Sequence, residues 1–194
     1  MTKILTPGDP ILFMKVGMHA AESLEDIIAR KKQEIEDAGY GLWGYGGNTC
    51  HPRTMVQPFA ERYEEQGQKI RLCMEQMDSK HSAAPLRASE FSTDGVVWQP
   101  IPDPINAVGS RFALVIKTLE HVDAELTLEQ TRVAVGPNQG RRGDLYVRGR
   151  ADKACLEVLD ANHGQNTEEM TVKHISLAAE LAAPYAVFLR SQEQ

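Results

Sequence analysis

Apolar residues recur with helical spacing convincingly once in this chain, between Ala20 and Ala38, and beyond Lys69 their spacing is mainly that of strands. In the helical stretch Ala20, Leu24, Ile27, Ile28, Lys31, Ile35 and Ala38 recur at three and four residues, so Leu24, Ile27, Ile28 and Ile35 share one face. Ser23 with Asp26 resembles an N-terminal capping box, and Gly39 is a natural stop. Arg30, Lys31 and Lys32 with Glu34, Glu36 and Asp37 are expected on the solvated face. Before the helix, residues 11–16 (ILFMKV) follow the turn Pro7-Gly8-Asp9-Pro10 and read as a buried first strand. After it, residues 42–45 read as a second strand. Residues 57–63 then form a short helix with Pro58 in its first turn, closed by Gly67.

From Lys69 the pattern changes. Ile70, Leu72 and Met74 alternate with Lys69, Arg71, Cys73 and Glu75, the period of a half-buried strand. Residues 79–94 read as a polar loop. Residues 96–101 are expected at a sheet edge, because Pro100 has no N–H to donate. Further strands are expected at 111–118, 131–135, 145–147 with 155–159, and 174–181 with 185–189. The last stretch also fits a helical face through Leu177, Ala178, Leu181 and Ala182, which Pro184 would end. A doubly wound parallel sheet needs helices between its strands, and the second half of the chain has none to offer. The expected fold is therefore α+β, with two N-terminal helices and a curved, mainly antiparallel, barrel-like sheet in a single domain over residues 1–194.

A formal net charge of -6 argues against a dedicated duplex-binding protein, which needs a basic face to neutralise phosphates. Cys50, Cys73 and Cys155 are odd in number and lack CxxC spacing, so reduced thiols are expected rather than a disulfide framework or a zinc knuckle. The six histidines show no metal-ligand pairing, and neither a metal nor a cofactor is expected. No apolar run reaches the roughly 18 residues of a membrane span, and residues 1–10 contain no apolar leader core. A soluble, cytoplasmic protein with no membrane partner is expected.

The chemistry-bearing stretch runs from Tyr40 to Pro52, where glycines crowd around Trp43 and Tyr45. Glycine there signals a turn with positive φ or the close approach of a backbone or ligand. Trp43 and Tyr45 offer flat apolar faces for a planar ligand, with Gly46, Gly47, Asn48 and His51 shaping and lining the turn. The bland alternative is a buried strand end. Cys50 and His51 look like a reactive pair, yet neighbours on an extended chain point to opposite sides, so His19 or His121 would have to act as the base. Catalytic residues stay unassigned. Gly44-x-Gly46 lacks the third glycine and long following helix of a dinucleotide loop. A second stretch, from Gly136 to Asp144, carries Arg141 and Arg142 and continues to Arg148, Arg150 and Lys153. Arginines beside glycine turns hold phosphate well; a solvated hairpin tip is the alternative.

The opening order ILFMKVGMHA, ESLEDIIARKKQEI and GLWGYG resembles that of PUA-like domains of the ASCH and EVE type. The resemblance implies a strand and a helix over a small curved β-barrel, and a site for a nucleotide base or RNA. The G-x-K-x-x-E pattern of ASCH members, laid on Arg30, Lys32 and Ile35, lacks its glycine and its acid, so no catalytic residue is carried over. The expected function is recognition of a nucleotide base, a modified nucleotide or a nucleic-acid end. Trp43, Tyr45 and Trp98 would stack, and Arg141, Arg142, Arg148 and Arg150 would hold phosphate. The expected partner is a nucleotide or single-stranded nucleic acid. Two alternatives stand beside this: a protein-binding regulator or inhibitor of phage or mobile-element type, and a small hydrolase or transferase acting on a nucleotide-like substrate.

Overall fold

The computed structural model describes residues 5–47, 49–80, 84–148, 151–162 and 169–192. The chain opens with β1 (Pro10–Met18), α1 (Leu24–Ala38) and β2 (Gly41–Tyr45). A π-helical turn (Pro52–Val56) leads into α2 (Gln57–Glu64), and then come β3 (Arg71–Lys80), β4 (Glu90–Ser92), β5 (Gln99–Pro100), β6 (Phe112–Ile116) and β7 (Glu120–Thr127). The rest is β8 (Thr131–Val133), a one-turn α3 (Gly143–Val147), β9 (Lys153–Val158) and a 19-residue β10 (Val172–Arg190).

Among the described residues ten strands form one sheet whose main path is β2-β6-β10-β3-β1-β9-β8, with β4 and β7 paired to β10 and β5 paired to β4. The path stays open, so the sheet does not close into the expected barrel. It is mostly antiparallel, with β1 and β3 parallel in register Ile11 to Arg71 through Val16 to Gln76. β10 pairs with β7 and β3 along its first half and with β6 and β4 along its second. The register shifts between Leu181 and Ala186, and Pro184 sits in that irregularity, where its missing N–H costs no ladder bond.

Local chemistry explains the element ends. Ala20 and Ala21 have φ of 48° and 63°, so α1 begins only after them, at an N-cap where Ser23 Oγ accepts from the Asp26 N–H. Gly39, at φ 83°, sends its N–H to the Ile35 carbonyl and ends the helix. Residues 145–147, expected as a strand, are helical instead. A single turn places Gly143, Asp144 and Val147 inward together, which a strand of that length could not do. Of the expected edge strand at 96–101, only Gln99 and Pro100 pair. The Asp94 carboxylate accepts the N–H groups of Val96 and Val97 at 2.7 and 2.8 Å, an Asx-type turn that takes those groups from the ladder. The stretch expected as a loop at 79–94 contains the end of β3 and the whole of β4, and β7 adds a strand not anticipated at 120–127.

The main core lies between one sheet face and the helices α1 and α2, with Leu12, Met14, Trp43, Tyr45, Phe59, Leu72 and Leu114 in it. Ile11, Phe13, Leu126, Val133 and Leu156 form a second cluster, and Leu42, Ala113, Ile105 and Val187 a third. Alternation along β2 thus sends Leu42 one way and Trp43 and Tyr45 the other.

Candidate functional site

A cavity of about 310 Å³ opens where α1 faces β2, the ends of β1 and β3, the start of β9 and the connection 106–110. Its apolar wall includes Met14, Val16, Ile27, Trp43 and Met77; its polar wall includes Lys31, Asn106, Ser110 and Lys153. Two glycines make this closeness possible. A Cβ on Gly44 would run into the Ser110 side chain, and one on Gly17 would lie 2.6 Å from the Met77 carbonyl oxygen.

The connection 106–110 is fixed to α1 by buried charge. Lys31 and Glu34 are 3% and 1% exposed, and the Lys31 Nζ donates at 2.9 Å to both Glu34 oxygens and to the Asn106 carbonyl. Glu34 also accepts from the Asn106 N–H at 3.0 Å and the Leu42 N–H at 3.4 Å. Arg30 joins Glu22, Glu34 and the Asn106 carbonyl. Burial lowers the Lys31 pKa from 10.5 to about 8, against the pull of Glu34. Lys31 and Glu34 are therefore not on the solvated face expected for them. Lys31 falls in the apolar stripe of α1, and the Glu34 carboxylate with the Asn106 carbonyl supplies the partners that make its burial tolerable.

Asn106 lines the cavity, and its Oδ1 is buried with no hydrogen-bond partner among the described residues. Lys153 is 6% exposed, and its Nζ bonds the Asp152 carboxylate at 3.1 Å. Nearby, the His19 Nε2 lies 3.1 Å from the Val108 carbonyl oxygen and 3.4 Å from the Ser110 Oγ.

Of the residues singled out from the sequence, Trp43, Tyr45, Gly46 and Gly47 line the cavity together. Trp43 is also a core residue, 4% exposed, and so is Tyr45. The hydroxyl of Tyr45 donates to the Cys50 carbonyl at 2.7 Å, its ring meets Phe112 at 5.6 Å, and burial raises its pKa. His51 lies outside the cavity, edge-on to Phe112 and Phe188, each at 5.2 Å. Arg141, Arg142 and Arg148 do not line it; Arg142 bonds Asp144 through Nη2 at 2.9 Å, while Arg141 and Arg148 are exposed. Asn48 and Arg150 lie outside the described residues. Trp98 sits elsewhere, beneath the Arg190 guanidinium at 4.2 Å.

The thiol nearest Cys50 is Cys155, with the sulfurs 3.8 Å apart and both residues buried. The hydrogen bond with Cys50 and burial raise the Cys155 pKa, which disfavours a nucleophilic thiolate there. Among the described residues no group of three or more His, Cys, Asp or Glu could hold a metal ion, and no helix is long and apolar enough to cross a membrane.

Sequence reasoning missed Glu34, Asn106 and Ser110 as parts of the site. A lysine at position 31 in an otherwise apolar stripe was a signal for the buried pair. Asn106 gave none, since it follows two prolines in what reads as a turn. No family model, no curated protein and no solved structure matches the chain.

Proposed function

We propose that the cavity beside Trp43 binds a planar nitrogen heterocycle of the nucleobase type, presented as a nucleotide, a modified nucleotide or the end of a nucleic acid. The observation that carries this is Asn106, which lines the cavity together with Trp43 and whose buried Oδ1 has no donor among the described residues. An unmet buried acceptor costs about 1–3 kcal/mol, and turning the carboxamide onto a ring or exocyclic N–H of a ligand would remove that cost. A carboxamide suits a base edge, since it can accept from an exocyclic amine and donate to a ring nitrogen. An aromatic side chain adds about 1–3 kcal/mol per stacked base. Apolar walls with a few placed polar groups are the usual make-up of small-molecule sites, and this volume lies near the lower end of their range. Arg141, Arg142 and Arg148 lie off the cavity wall and have no part in holding the base. The reading agrees with what the PUA-like resemblance implies.

The chain has two tryptophans, so Trp98→Phe leaves Trp43 as the only indole. Titration of that variant with adenosine, guanosine, cytidine and uridine should give saturable quenching of Trp43 fluorescence by at least one of them. Asn106→Ala should then weaken that binding about tenfold. No quenching by any of the four at millimolar concentration would overturn the proposal.

A further inference from the structure

Two lysines that line the cavity are buried to similar extents, and they differ in what they bond. Lys31 directs three hydrogen bonds to the two Glu34 oxygens and the Asn106 carbonyl. An ammonium has three donors, so Lys31 has none to spare and acts as a fastening between α1 and the 106–110 connection. The Lys153 Nζ makes a single hydrogen bond among the described residues, to the Asp152 carboxylate. Two of its donors are unmet by the described residues.

The position of Lys153 turns those donors toward the cavity. On β9 it pairs with Met14, whose side chain belongs to the main core cluster, so both share the sheet face on which Trp43 and Tyr45 lie. Its Nζ comes within 4.0 Å of where a Cβ on Gly47 would stand, next to the glycine turn after Trp43. A buried ammonium is costly unless it is paired and well bonded. Asp152 is a weak counterweight, because its side chain is 45% exposed and water screens it.

We infer, resting on the reading of this cavity as a base site, that the base enters as a phosphate ester and that Lys153 is its phosphate contact. A phosphate presents several anionic oxygens on one centre, which suits an ammonium with two donors to place. The same chemistry could come from a free nucleotide or from the phosphorylated end of a strand.

Isothermal titration calorimetry separates these. The ligands are the four common nucleosides, their 5′-monophosphates, and a short oligonucleotide with and without a 5′-phosphate. At least one phosphorylated ligand should bind about tenfold or more tightly than its unphosphorylated counterpart, the range of a charge-assisted hydrogen bond. The pair that shows the larger preference tells the free nucleotide from the strand end. Lys153→Met should abolish the preference. Asp152→Asn, at a half-exposed position, should enlarge it and keeps the test open if Lys153→Met fails to fold. Equal binding of both members of every pair, or a preference that survives Lys153→Met, would overturn the phosphate assignment and leave the base site standing. Absence of binding by every ligand would sink both.

Discussion

At Gly44 the strand backbone and the Ser110 side chain come so close that any Cβ would collide with Ser110, whose own Cβ would lie 2.9 Å away. The requirement is for space, since Gly44 does not have a positive φ. Gly44→Ala should therefore destabilise the fold by about 1–3 kcal/mol, the usual cost of overpacking. Adding Ser110→Gly should restore most of that loss. Urea denaturation of the two single variants and the double variant measures the coupling; equal losses with no rescue would mean that the two side chains do not meet. Gly47 is a different case, with φ at 90°, a backbone region that glycine enters freely. Both glycines are visible in the sequence as a cluster around two aromatics. Their separate reasons are visible only once Ser110 is brought across from 66 residues downstream (110 − 44).

At the scale of the element, one buried face of α1 carries two kinds of chemistry. Leu24, Ile27 and Ile28 bury against the sheet, and the Lys31–Glu34 pair grips the connection after Ile105. Removing one partner of a buried pair leaves an uncompensated charge, so Glu34→Ala should cost about 3–5 kcal/mol in a denaturation experiment. Ser23→Ala, which removes only the N-cap, should cost about 1 kcal/mol. A Glu34→Ala loss no larger than that of Ser23→Ala would contradict the fastening role. The helix itself is legible in the sequence because its apolar spacing, capping serine and terminal glycine agree. The partner of its charges is not, because Asn106 bonds through its backbone, and backbone groups leave no mark on residue type. β7 shows the opposite failing: Val122, Ala124 and Leu126 do alternate with His121, Asp123 and Glu125, but a small residue and three acids dilute the strand signal. At 145–147 three apolar residues are too few for any period, and the helical turn there is set by the inward placement of Asp144 and Val147.

Across the whole molecule, acids whose pKa is raised by burial or part-burial act against Lys31, a buried base whose pKa is lowered. Burial pushes the Cys73 thiol from 9.0 up to about 12. Burial and the bond to Glu157 push the Tyr63 phenol from 10.0 to about 12, and burial with Glu64 does the same to Tyr185. Each folded value lies above the unfolded one, so the stability these groups lend is complete below about pH 9 and is lost as pH rises toward 12. Lys31 works in the other direction. Its folded value of about 8 lies below 10.5, so between those values it makes stability increase with pH. The urea midpoint should accordingly fall steeply above pH 10.5, where Lys31 no longer compensates, and Cys73→Ala should make that fall shallower. An unchanged midpoint up to pH 12 would contradict the burial of these groups. The same scale sets what of the site could be foreseen. Trp43, Tyr45, Gly46 and Gly47 follow one another along one strand end and were legible as a group, whereas Lys31, Asn106 and Lys153 join them only through sheet pairing and the 106–110 crossing. The most direct test of the central claim is native mass spectrometry of the protein mixed with an equimolar pool of the four nucleosides and their 5′-monophosphates. A one-to-one complex that disappears in Asn106→Ala is the expected result; no complex, or one that Asn106→Ala leaves intact, would contradict the assignment of this cavity.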